Sequence, residues 1–352
     1  MLIQDLDTPC AVVDLDVMEN NLRRCQAYLD RHRLGLRPHI KTHKIPELAH
    51  LQIRLGAKGV NCQKLGEAEV MAEAGITDIL LTYNLVGQVK LDRLVALARR
   101  ADIKVTADSA EVAEGLSSAM SRAGLTLPVL VECDTGASRC GVTTPAMAAA
   151  LAQAIDRAPG LAFRGLMTYP PKSSLAKTQA WLAEAVELCK RSGLAVETVS
   201  SGGTPDLYRA HEVAAATEHR PGTYIYSDRY HVETHAFGGW ADCALTVQAT
   251  VVSHAASDRC VIDAGSKSLS SDLLGLQGYG RIVEHAEWEI HALSEEHGHV
   301  RVLSGAAPAV GERVAVIPNH ACVVTNLHDR IYAARAGRVE TFFEVSARGK
   351  MQ

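Results

Sequence analysis

Three features that often identify a protein's class are missing from this 352-residue sequence: a paired-cysteine motif, a long apolar run and an excess of charge. The nine cysteines are scattered and form no C-x-x-C pair, which argues against a disulfide framework or a zinc ribbon and favours a reducing cytoplasm. A formal net charge of −4 gives no general attraction to nucleic acid or to an anionic membrane. Because no apolar run approaches membrane-spanning length and the first residues show no signal-peptide pattern, we expect a soluble, unexported protein.

What is present is an ordinary globular composition, with 47% hydrophobic and 22% charged residues, and a repeating pattern. From residue 36 onward, short apolar or β-branched runs alternate with amphipathic stretches, which is typical of βα units. Eight strands are predicted, at residues 36–41, 59–63, 78–83, 103–108, 128–134, 163–169, 196–200 and 223–226. Eight such units predict an α/β fold, a (β/α)8 TIM-type barrel, over residues 16–235.

After residue 235 the pattern changes to β-rich runs separated by Gly, Asp, Ser and Pro turns, without long helical periods. Runs at residues 243–253, 259–263, 300–303 and 313–317 predict an antiparallel β domain formed by residues 236–352. Residues 1–15, with a further strand candidate at 10–15, are assigned to the same domain. The chain length fits a barrel with a smaller second domain.

Lys41 is the first candidate for chemistry, because barrel enzymes carry their working groups at the C-terminal ends of strands. A lysine pointing into the mouth of a barrel loses solvation and gains cationic neighbours such as Lys44, which favours a neutral amine that can attack an aldehyde. An ordinary basic turn between strand and helix fits the segment at 37–44 equally well.

Three more predicted strand ends carry polar or aromatic candidates. Gln63 follows the second predicted strand, and Arg139 follows the fifth in a glycine-flanked segment, where its donor fork could approach a phenolate or carboxylate. Tyr169 ends the sixth strand, with its hydroxyl expected to face the same mouth. Taken singly, each of these residues is as often structural.

Two glycine-containing segments are predicted to bind phosphate. Residues 200–205 follow the seventh predicted strand and include Gly203 and Thr204, whereas residues 220–224 lie beside the eighth and include Gly222, Thr223 and Tyr224. Loops after barrel strands seven and eight recur as phosphate sites, because their backbone N–H groups converge on an anion. The pair of segments is more specific than either one alone.

In the predicted β domain, His320 and Cys322 lie two residues apart at the end of an apolar run. Residues i and i+2 of an extended segment project from the same face, so an imidazole nitrogen and a thiolate could ligate one divalent cation, with water in the remaining positions. A surface histidine beside a buried cysteine fits this weak pattern as well. Two rival histidine pairs lie in polar stretches that favour solvated loops: His231 with His235, and His297 with His299.

Together these segments resemble the D-threonine aldolase and D-serine dehydratase family of fold-type III pyridoxal-phosphate enzymes, which share the alanine racemase-like barrel. The resemblance covers nearly the whole chain. It is carried by residues 8–9, 37–44, 134–141, 202–204, 221–224, 263–267, 294–298 and 318–322.

The resemblance implies a role for each candidate residue. Lys41 would hold pyridoxal 5'-phosphate as a Schiff base, with Gln63 and Arg139 near the cofactor ring and its phenolic oxygen. Tyr169 would flank the ring or the phosphate. The phosphate would be held by Gly203, Thr204, Gly222, Thr223 and Tyr224, and a divalent metal (Mn, Zn or Mg) beside the substrate's β-hydroxyl would be ligated by His320 and Cys322.

The implied activity is that of a lyase acting on a small 3-hydroxy-D-amino acid, most simply a D-threonine aldolase in a cytoplasmic homodimer. Residues 263–267 and 295–298 resemble the aldolase branch, whereas Cys322 resembles the branch of D-serine or 3-hydroxyaspartate dehydratases. Residues 170–172 depart from a His-Gly pair common in relatives, which leaves the substrate open. An amino-acid racemase and a non-catalytic pyridoxal-phosphate-binding protein are further alternatives, which the metal pair disfavours.

Overall fold

The computed structural model describes residues 1–235, 238–305 and 308–352. The chain divides into two compact units. The barrel unit comprises Arg24–Lys41, Pro46–Gly222 and Lys350–Gln352, and the β unit comprises Met1–Arg23, Thr42–Ile45 and Thr223–Gly349. The predicted domain boundaries stay predictions, and residue 236, where the second predicted domain begins, lies outside the described residues.

The chain begins with a short 3-10 helix, Ile3–Asp5, the strand β1 (Cys10–Asp14) and the helix α1 (Leu15–Arg31). The barrel unit then contributes eight parallel strands: β2 (Gly35–Leu36), β3 (Val60–Cys62), β4 (Asp78–Leu81), β5 (Asp102–Ala107), β6 (Leu127–Cys133), β7 (Leu161–Thr168), β8 (Thr198–Ser201) and β9 (Glu218–His219). Their order in the sheet is β2-β9-β8-β7-β6-β5-β4-β3. A parallel bridge between His39 and Asn61 joins the two ends of this order. The predicted TIM-type barrel is therefore confirmed.

Helices alternate with these strands: α2 (Pro46–Arg54), α3 (Leu65–Glu73), α4 (Gln88–Ala98), α5 (Ala110–Ala123), α6 (Pro145–Arg157), α7 (Leu175–Arg191) and the 3-10 helix Thr204–Glu212. Local sequence sets their ends. The Ser109 side chain accepts from the Val112 amide at the start of α5, and Gly124, with φ +65°, ends it. Thr144 caps α6 in the same way, with Pro145 in the first turn.

The core of the barrel unit lies between the strands and these helices. Alternate strand residues such as Ile79, Val129 and Leu166 are completely buried in it. Leu80, Leu130 and Met167 form a separate buried cluster at the intervening strand positions, which point to the opposite face of the sheet.

The β unit is built on a nine-stranded, mostly antiparallel sheet, which confirms the predicted β domain. Its later strands are β10 (Leu245–Ala256), β11 (Arg259–Ile262), β12 (Arg281–Ile282), β13 (Trp288–Leu293), β14 (Gly298–Val302), β15 (Arg313–Ile317), β16 (Arg330–Arg335) and β17 (Arg338–Glu344). Its short helices are α8 (Arg229–His235), α9 (Ser266–Leu269) and α10 (Ala321–Leu327), with 3-10 helices at Thr223–Ile225 and Trp240–Asp242. β1 pairs antiparallel with β10 and parallel with β16, so the N-terminal strand does belong to this sheet.

Two predicted barrel strands differ from the observed ones. The strand predicted at 223–226 is wrong, because Thr223 begins a 3-10 helix in which its carbonyl accepts from the Tyr226 and Ser227 amides. The eighth strand is β9, two residues that end just before Arg220 and Pro221, the latter of which has no N–H for a ladder. The strand predicted at 36–41 ends at Leu36, and Lys41 lies in the 3-10 helix Ile40–Thr42.

None of the helices in the described ranges combines the length and the apolar character that crossing a membrane requires.

Candidate active site

Lys41 lies at the C-terminal side of the barrel strands, in the segment that follows β2. Its side chain is partly exposed, whereas Ile40 and Thr42 on either side are completely buried. Two residues earlier, His39 is buried, and its pKa lies well below the usual value because of burial first and the Lys41 ammonium second. His39 is therefore a neutral imidazole beside a cation.

Gln63 connects His39 to the neighbouring strand. The side-chain oxygen of Gln63 lies 3.1 Å from His39 Nε2, and its amide nitrogen donates to the Thr82 carbonyl at 2.9 Å. The Glu67 carboxylate accepts from the Gln63 backbone amide at 2.8 Å. Because the Gln63 oxygen accepts, His39 Nε2 carries the proton and Nδ1 is an acceptor. Among the described residues this buried Nδ1 has no hydrogen-bond partner.

Arg139 and Tyr169 come together above the ends of β6 and β7. The Arg139 guanidinium carbon lies 5.1 Å from the centre of the Tyr169 ring, within cation–π distance. Both side chains are exposed, Tyr169 to 43%. The Asp134 carboxylate shapes this loop by accepting from the backbone amides of Gly136 and Ser138.

The loop after β8 needs glycine at two positions. Gly202 has φ +81°, and a Cβ there would lie 2.0 Å from a ring carbon of His219. At Gly203 a Cβ would lie 2.7 Å from Cε2 of Tyr169. The His219 imidazole, whose pKa burial lowers to about 4, is neutral and donates from Nε2 to the Gly203 carbonyl at 2.9 Å. The loop backbone is thus packed against two rings.

The two predicted phosphate segments meet within the barrel unit. The Gly222 amide donates to Thr204 Oγ1 at 3.2 Å. Thr223 and Tyr224 follow directly in the chain and are buried in the β unit, in the 3-10 helix Thr223–Ile225.

The sequence reasoning did not assign a role to the buried Arg220. Its guanidinium donates to Ser200 Oγ at 2.7 Å and to the Thr168 carbonyl at 2.7 Å, and burial lowers its pKa to about 10, so it remains a cation at neutral pH. Ser200 Oγ in turn donates to Glu218 at 2.5 Å, and Glu218 pairs with Arg37 at 3.0 Å. The sequence signal that could have identified Arg220 is its place as a basic residue directly before Pro221 and Gly222.

In the β unit, the structure places the side chains of His320 and Cys322 together. Burial would lower the pKa of the His320 imidazole, but hydrogen bonding and charge from Cys322 outweigh it, with smaller effects from Asp272 and Asp228, and raise that pKa to about 9. Cys322 Sγ also lies 3.2 Å from Thr42 Oγ1 and 3.5 Å from Thr223 Oγ1.

The extended geometry predicted for this pair is wrong. His320 has extended backbone angles, but it directly precedes α10, so Cys322 is the second residue of a helix. The turn of the chain at His320, rather than strand alternation, brings the two side chains together. Among the described residues, no set of three or more His, Cys, Asp or Glu side chains is arranged to hold a metal ion, so the candidate ligands are a pair.

The rival pair His231 and His235 does not lie in a solvated loop, contrary to expectation. Both residues belong to α8, and His231 is buried. Its Nδ1 lies 2.6 Å from Asp228 Oδ1, and the completely buried Asp228 also accepts from the Ala321 amide at 3.1 Å through Oδ2. The polar composition of this stretch gave no sign that it forms the first turn of a helix with a buried carboxylate. His299 lies on β14 near Ser294.

Comparisons with known proteins agree with this architecture. Residues 13–230 match the family model of the alanine racemase N-terminal domain, and residues 244–334 match that of a putative serine dehydratase domain. The chain is therefore built like a fold-type III pyridoxal-phosphate enzyme. It belongs to the D-threonine aldolase and D-serine dehydratase family of lyases.

Individual relatives span nearly the whole chain. A D-threonine aldolase of Arthrobacter sp is 39% identical over 98% of this chain and 93% of its own, and a 3-hydroxy-D-aspartate aldolase of Paracoccus denitrificans (strain Pd 1222) is 34% identical over the same shares. The crystal structure of D-threonine aldolase from Filomicrobium marinum is 34% identical, with a TM-score of 0.94 over 100% of this chain and 99% of its own.

Two solved variants of a D-threo-3-hydroxyaspartate dehydratase are also similar. One replaces a histidine by alanine and has a TM-score of 0.90 at 29% identity, over 98% of this chain and 96% of its own. The other replaces a cysteine by alanine, is described as the metal-free form, and has a TM-score of 0.88 at 31% identity, over 98% of this chain and 99% of its own.

Proposed function

We propose that the chain is a pyridoxal 5'-phosphate- and divalent-metal-dependent lyase that cleaves D-threonine to glycine and acetaldehyde. The observation that carries this proposal is the full-length similarity to D-threonine aldolases, at 39% identity in sequence and a TM-score of 0.94 in structure. Small 3-hydroxy-D-amino acids related to D-threonine form the proposed substrate class.

The barrel unit fits an anionic, aromatic cofactor. Lys41, Arg139 and Arg220 all act on the buried His39, lowering its pKa, so the strand ends carry a positive field. His39 Nδ1 is a buried acceptor without a partner among the described residues, which a donor on a ligand would satisfy. In the loop after β8, a side chain at Gly202 or Gly203 would meet a ring, and such a side-chain-free backbone fits a phosphate held by N–H groups.

In this proposal each residue predicted to bind the cofactor keeps its predicted task. Lys41 holds the cofactor through its amine, Gln63 and Arg139 lie near the ring, and Tyr169 flanks it. The phosphate is held by Gly203, Thr204, Gly222, Thr223 and Tyr224. The hydrogen bond between Gly222 and Thr204 supports a joint phosphate site, because it brings two of the predicted donors to one place.

His320 and Cys322 are the proposed metal ligands. One nitrogen and one sulfur suit zinc, whereas a two-residue site completed by water also admits manganese or magnesium. The dehydratase variants support this pair, because the histidine and cysteine replaced in them are also two positions apart, and the cysteine variant is metal-free. The buried Tyr226 hydroxyl, whose pKa burial and then Cys322 raise, has no partner among the described residues and fits a site that gains a polar ligand.

The chemistry follows from where protons move. When bound, pyridoxal phosphate withdraws electrons from the substrate's α-carbon, and a divalent cation polarises the β-hydroxyl. For cleavage, the β-hydroxyl loses its proton, the Cα–Cβ bond breaks, and a proton is returned to the α-carbon, which balances D-threonine against glycine and acetaldehyde. The Lys41 amine is the proposed group that returns this proton.

A dehydratase is the second candidate, and Cys322 is the observation that favours it. Its spacing from His320 is the one found in the D-threo-3-hydroxyaspartate dehydratase variants. In that reaction Lys41 removes the α-proton and the β-hydroxyl leaves as water. The resulting enamine rearranges to an imine, which water hydrolyses to a 2-oxo acid and ammonia. A racemase or a non-catalytic binding protein would have no use for a metal pair.

Product identification with D-threonine separates the candidates. The cofactor-loaded protein is incubated with D-threonine, with and without a chelator, and the products are identified by mass spectrometry. Acetaldehyde and glycine, lost on chelation and restored by Mn²⁺, are expected. The appearance of 2-oxobutyrate and ammonia instead would establish the dehydratase, and the absence of any product from D-threonine, D-serine and 3-hydroxy-D-aspartate would contradict both.

A homodimer and a reducing compartment, such as the cytoplasm, belong to the same proposal. All nine cysteines are free and six of them are buried in their unit, as a reducing compartment would leave them. For the dimer, light scattering during size-exclusion chromatography should give twice the monomer mass of 37.8 kDa.

A further inference from the structure

We propose that Asp272 is a positioning residue that determines which ring nitrogen of His320 is presented to the metal. The inference rests on the proposed function, because it takes His320 as a ligand. No motif or resemblance had pointed to Asp272.

The contact itself selects a tautomer. Asp272 Oδ2 lies 2.9 Å from His320 Nδ1. An ionised carboxylate only accepts hydrogen bonds, so Nδ1 carries a proton. When the ring gives up a proton to become a metal ligand, its lone pair is therefore on Nε2. Metal-binding histidines commonly donate their second nitrogen to a carboxylate in this way, which fixes the ring and raises its basicity.

The loop that carries Asp272 is anchored, although the Asp272 side chain is 38% exposed. Its backbone amide donates to Ser270 Oγ at 3.0 Å, and its carbonyl accepts from the Asn319 side chain at 3.4 Å. The same Asn319 amide donates to the Gly278 carbonyl at 2.9 Å. Because Asn319 directly precedes His320, the loop is tied to the backbone of the ligand whose ring it contacts.

Hydrogen bonds that do not involve Asp272 also hold residues 318–321, the ligand segment that contains His320. Asp228 Oδ2 accepts from the Ala321 amide, and the Arg229 and Tyr230 amides donate to the carbonyls of Pro318 and Asn319 at 3.1 and 3.2 Å. The backbone around His320 therefore does not depend on the Asp272 carboxylate. Removing that carboxylate frees the ring of His320 while the peptide segment keeps its place.

The β unit also contains a carboxylate–imidazole pair that serves as a matched control. His285 Nε2 lies 2.6 Å from Glu312 Oε1, and the His285 ring stacks on Trp288 at 3.8 Å between centres. His285 has no proposed ligand role. If Asp272 merely forms a surface ion pair, replacing Asp272 and replacing Glu312 should have similar, small effects.

Cation titration of the cofactor-loaded protein tests the inference. The protein is stripped with EDTA and titrated calorimetrically with Mn²⁺ and with Zn²⁺, in wild type, Asp272→Ala, Asp272→Asn, Glu312→Gln and His320→Ala. We expect Asp272→Ala to weaken binding about 10- to 100-fold. Asp272→Asn, whose amide oxygen still accepts from Nδ1–H, should recover part of this loss, and Glu312→Gln should bind as wild type does. Melting temperatures confirm that each variant is folded.

A spectroscopic readout reports the tautomer directly. In protein labelled with ¹⁵N-histidine, the His320 signals are identified by their loss in His320→Ala, and long-range ¹H–¹⁵N spectra distinguish a protonated Nδ1 from a protonated Nε2. Wild type with Zn²⁺ should show one species with protonated Nδ1, and Asp272→Ala should show both.

Two results would overturn the inference: an Asp272→Ala variant that binds cations as tightly as Glu312→Gln does, or one that keeps the single protonated-Nδ1 species. A His320→Ala variant with wild-type cation affinity would instead remove the proposed metal pair itself, and the inference with it. The two failures are therefore distinguishable.

Discussion

Thr42 Oγ1 lies 3.2 Å from the sulfur of Cys322. A second hydroxyl, that of Thr223, approaches the same sulfur at 3.5 Å. Thr42 directly follows Lys41 in the chain, and Thr223 directly follows Gly222. Each of the two segments proposed to hold the cofactor therefore continues into a residue that contacts the proposed metal ligand.

Replacing Thr42 by valine should weaken cation binding. The variant keeps the shape of the side chain but loses a hydroxyl that can donate to a thiolate, a loss of about 1 kcal/mol or about 5-fold in affinity. Calorimetric titration with Zn²⁺ measures it. Thr250→Val, which removes a hydroxyl bonded to Thr8 in the same unit, is the control and should leave affinity unchanged. Equal affinities for the two variants would argue against a role for the Thr42 hydroxyl.

Replacing Glu218 by alanine should strongly destabilise the protein. Its carboxylate lies 3.0 Å from the buried Arg37 guanidinium and accepts from Ser200, so its removal leaves a buried cation short of a partner. We expect a loss of about 3 to 5 kcal/mol in the free energy of unfolding, measured in urea. The exposed pair Arg164–Glu197, at 3.4 Å, provides the control, because Glu197→Ala should cost about 1 kcal/mol or less. A comparable loss for both variants would contradict the account of the buried network.

The two loop glycines should differ in their response to alanine. At Gly202 the new Cβ would meet the buried His219 ring, and the residue would also be held at φ +81°. At Gly203 it would meet Tyr169, which is 43% exposed and has room to move. We therefore expect Gly202→Ala to lose most of its pyridoxal-phosphate affinity and thermal stability, and Gly203→Ala to lose less of both. Absorbance titration with the cofactor and thermal melts measure these effects, and the reverse order would be incompatible with the loop geometry.

The barrel could be predicted from the sequence because most of its strands are apolar runs followed by amphipathic helices. β9 could not, because it consists of Glu218 and His219, two polar residues that are nonetheless buried. Their burial is compensated by Arg37 and by the Gly203 carbonyl, which are distant in sequence. A hydrophobic pattern carries no signal for such a strand.

Prediction of the candidate site from the sequence is limited in the same way, because some of its contacts join residues that are distant in the chain. Lys41, the glycine loops and the His320–Cys322 pair stand in short local motifs. Asp272 and Asp228 contact the ligand segment from 48 and 93 residues away. Only the folded chain reveals those partners, because isolated aspartates in polar stretches resemble any solvated loop.

His219 should make stability depend on pH. Its pKa is lowered from 6.5 to about 4, chiefly by burial, so the unfolded chain takes up a proton before the folded one does. The contribution of this group is complete above pH 6.5 and is lost as pH falls toward 4. Between pH 7 and pH 5, wild type should lose about 2 kcal/mol more unfolding free energy than His219→Gln. Identical losses, measured by urea unfolding at both pH values, would show that His219 is not held neutral.

The most direct test of the whole account is to locate the cofactor on the chain. The protein is loaded with pyridoxal phosphate, reduced with borohydride to fix the cofactor to its amine, digested and examined by peptide mass spectrometry. We expect the cofactor mass on Lys41, and no adduct in Lys41→Ala, whereas Lys64→Ala should be labelled like wild type. A cofactor found on another lysine, or an undiminished adduct in Lys41→Ala, would contradict the account.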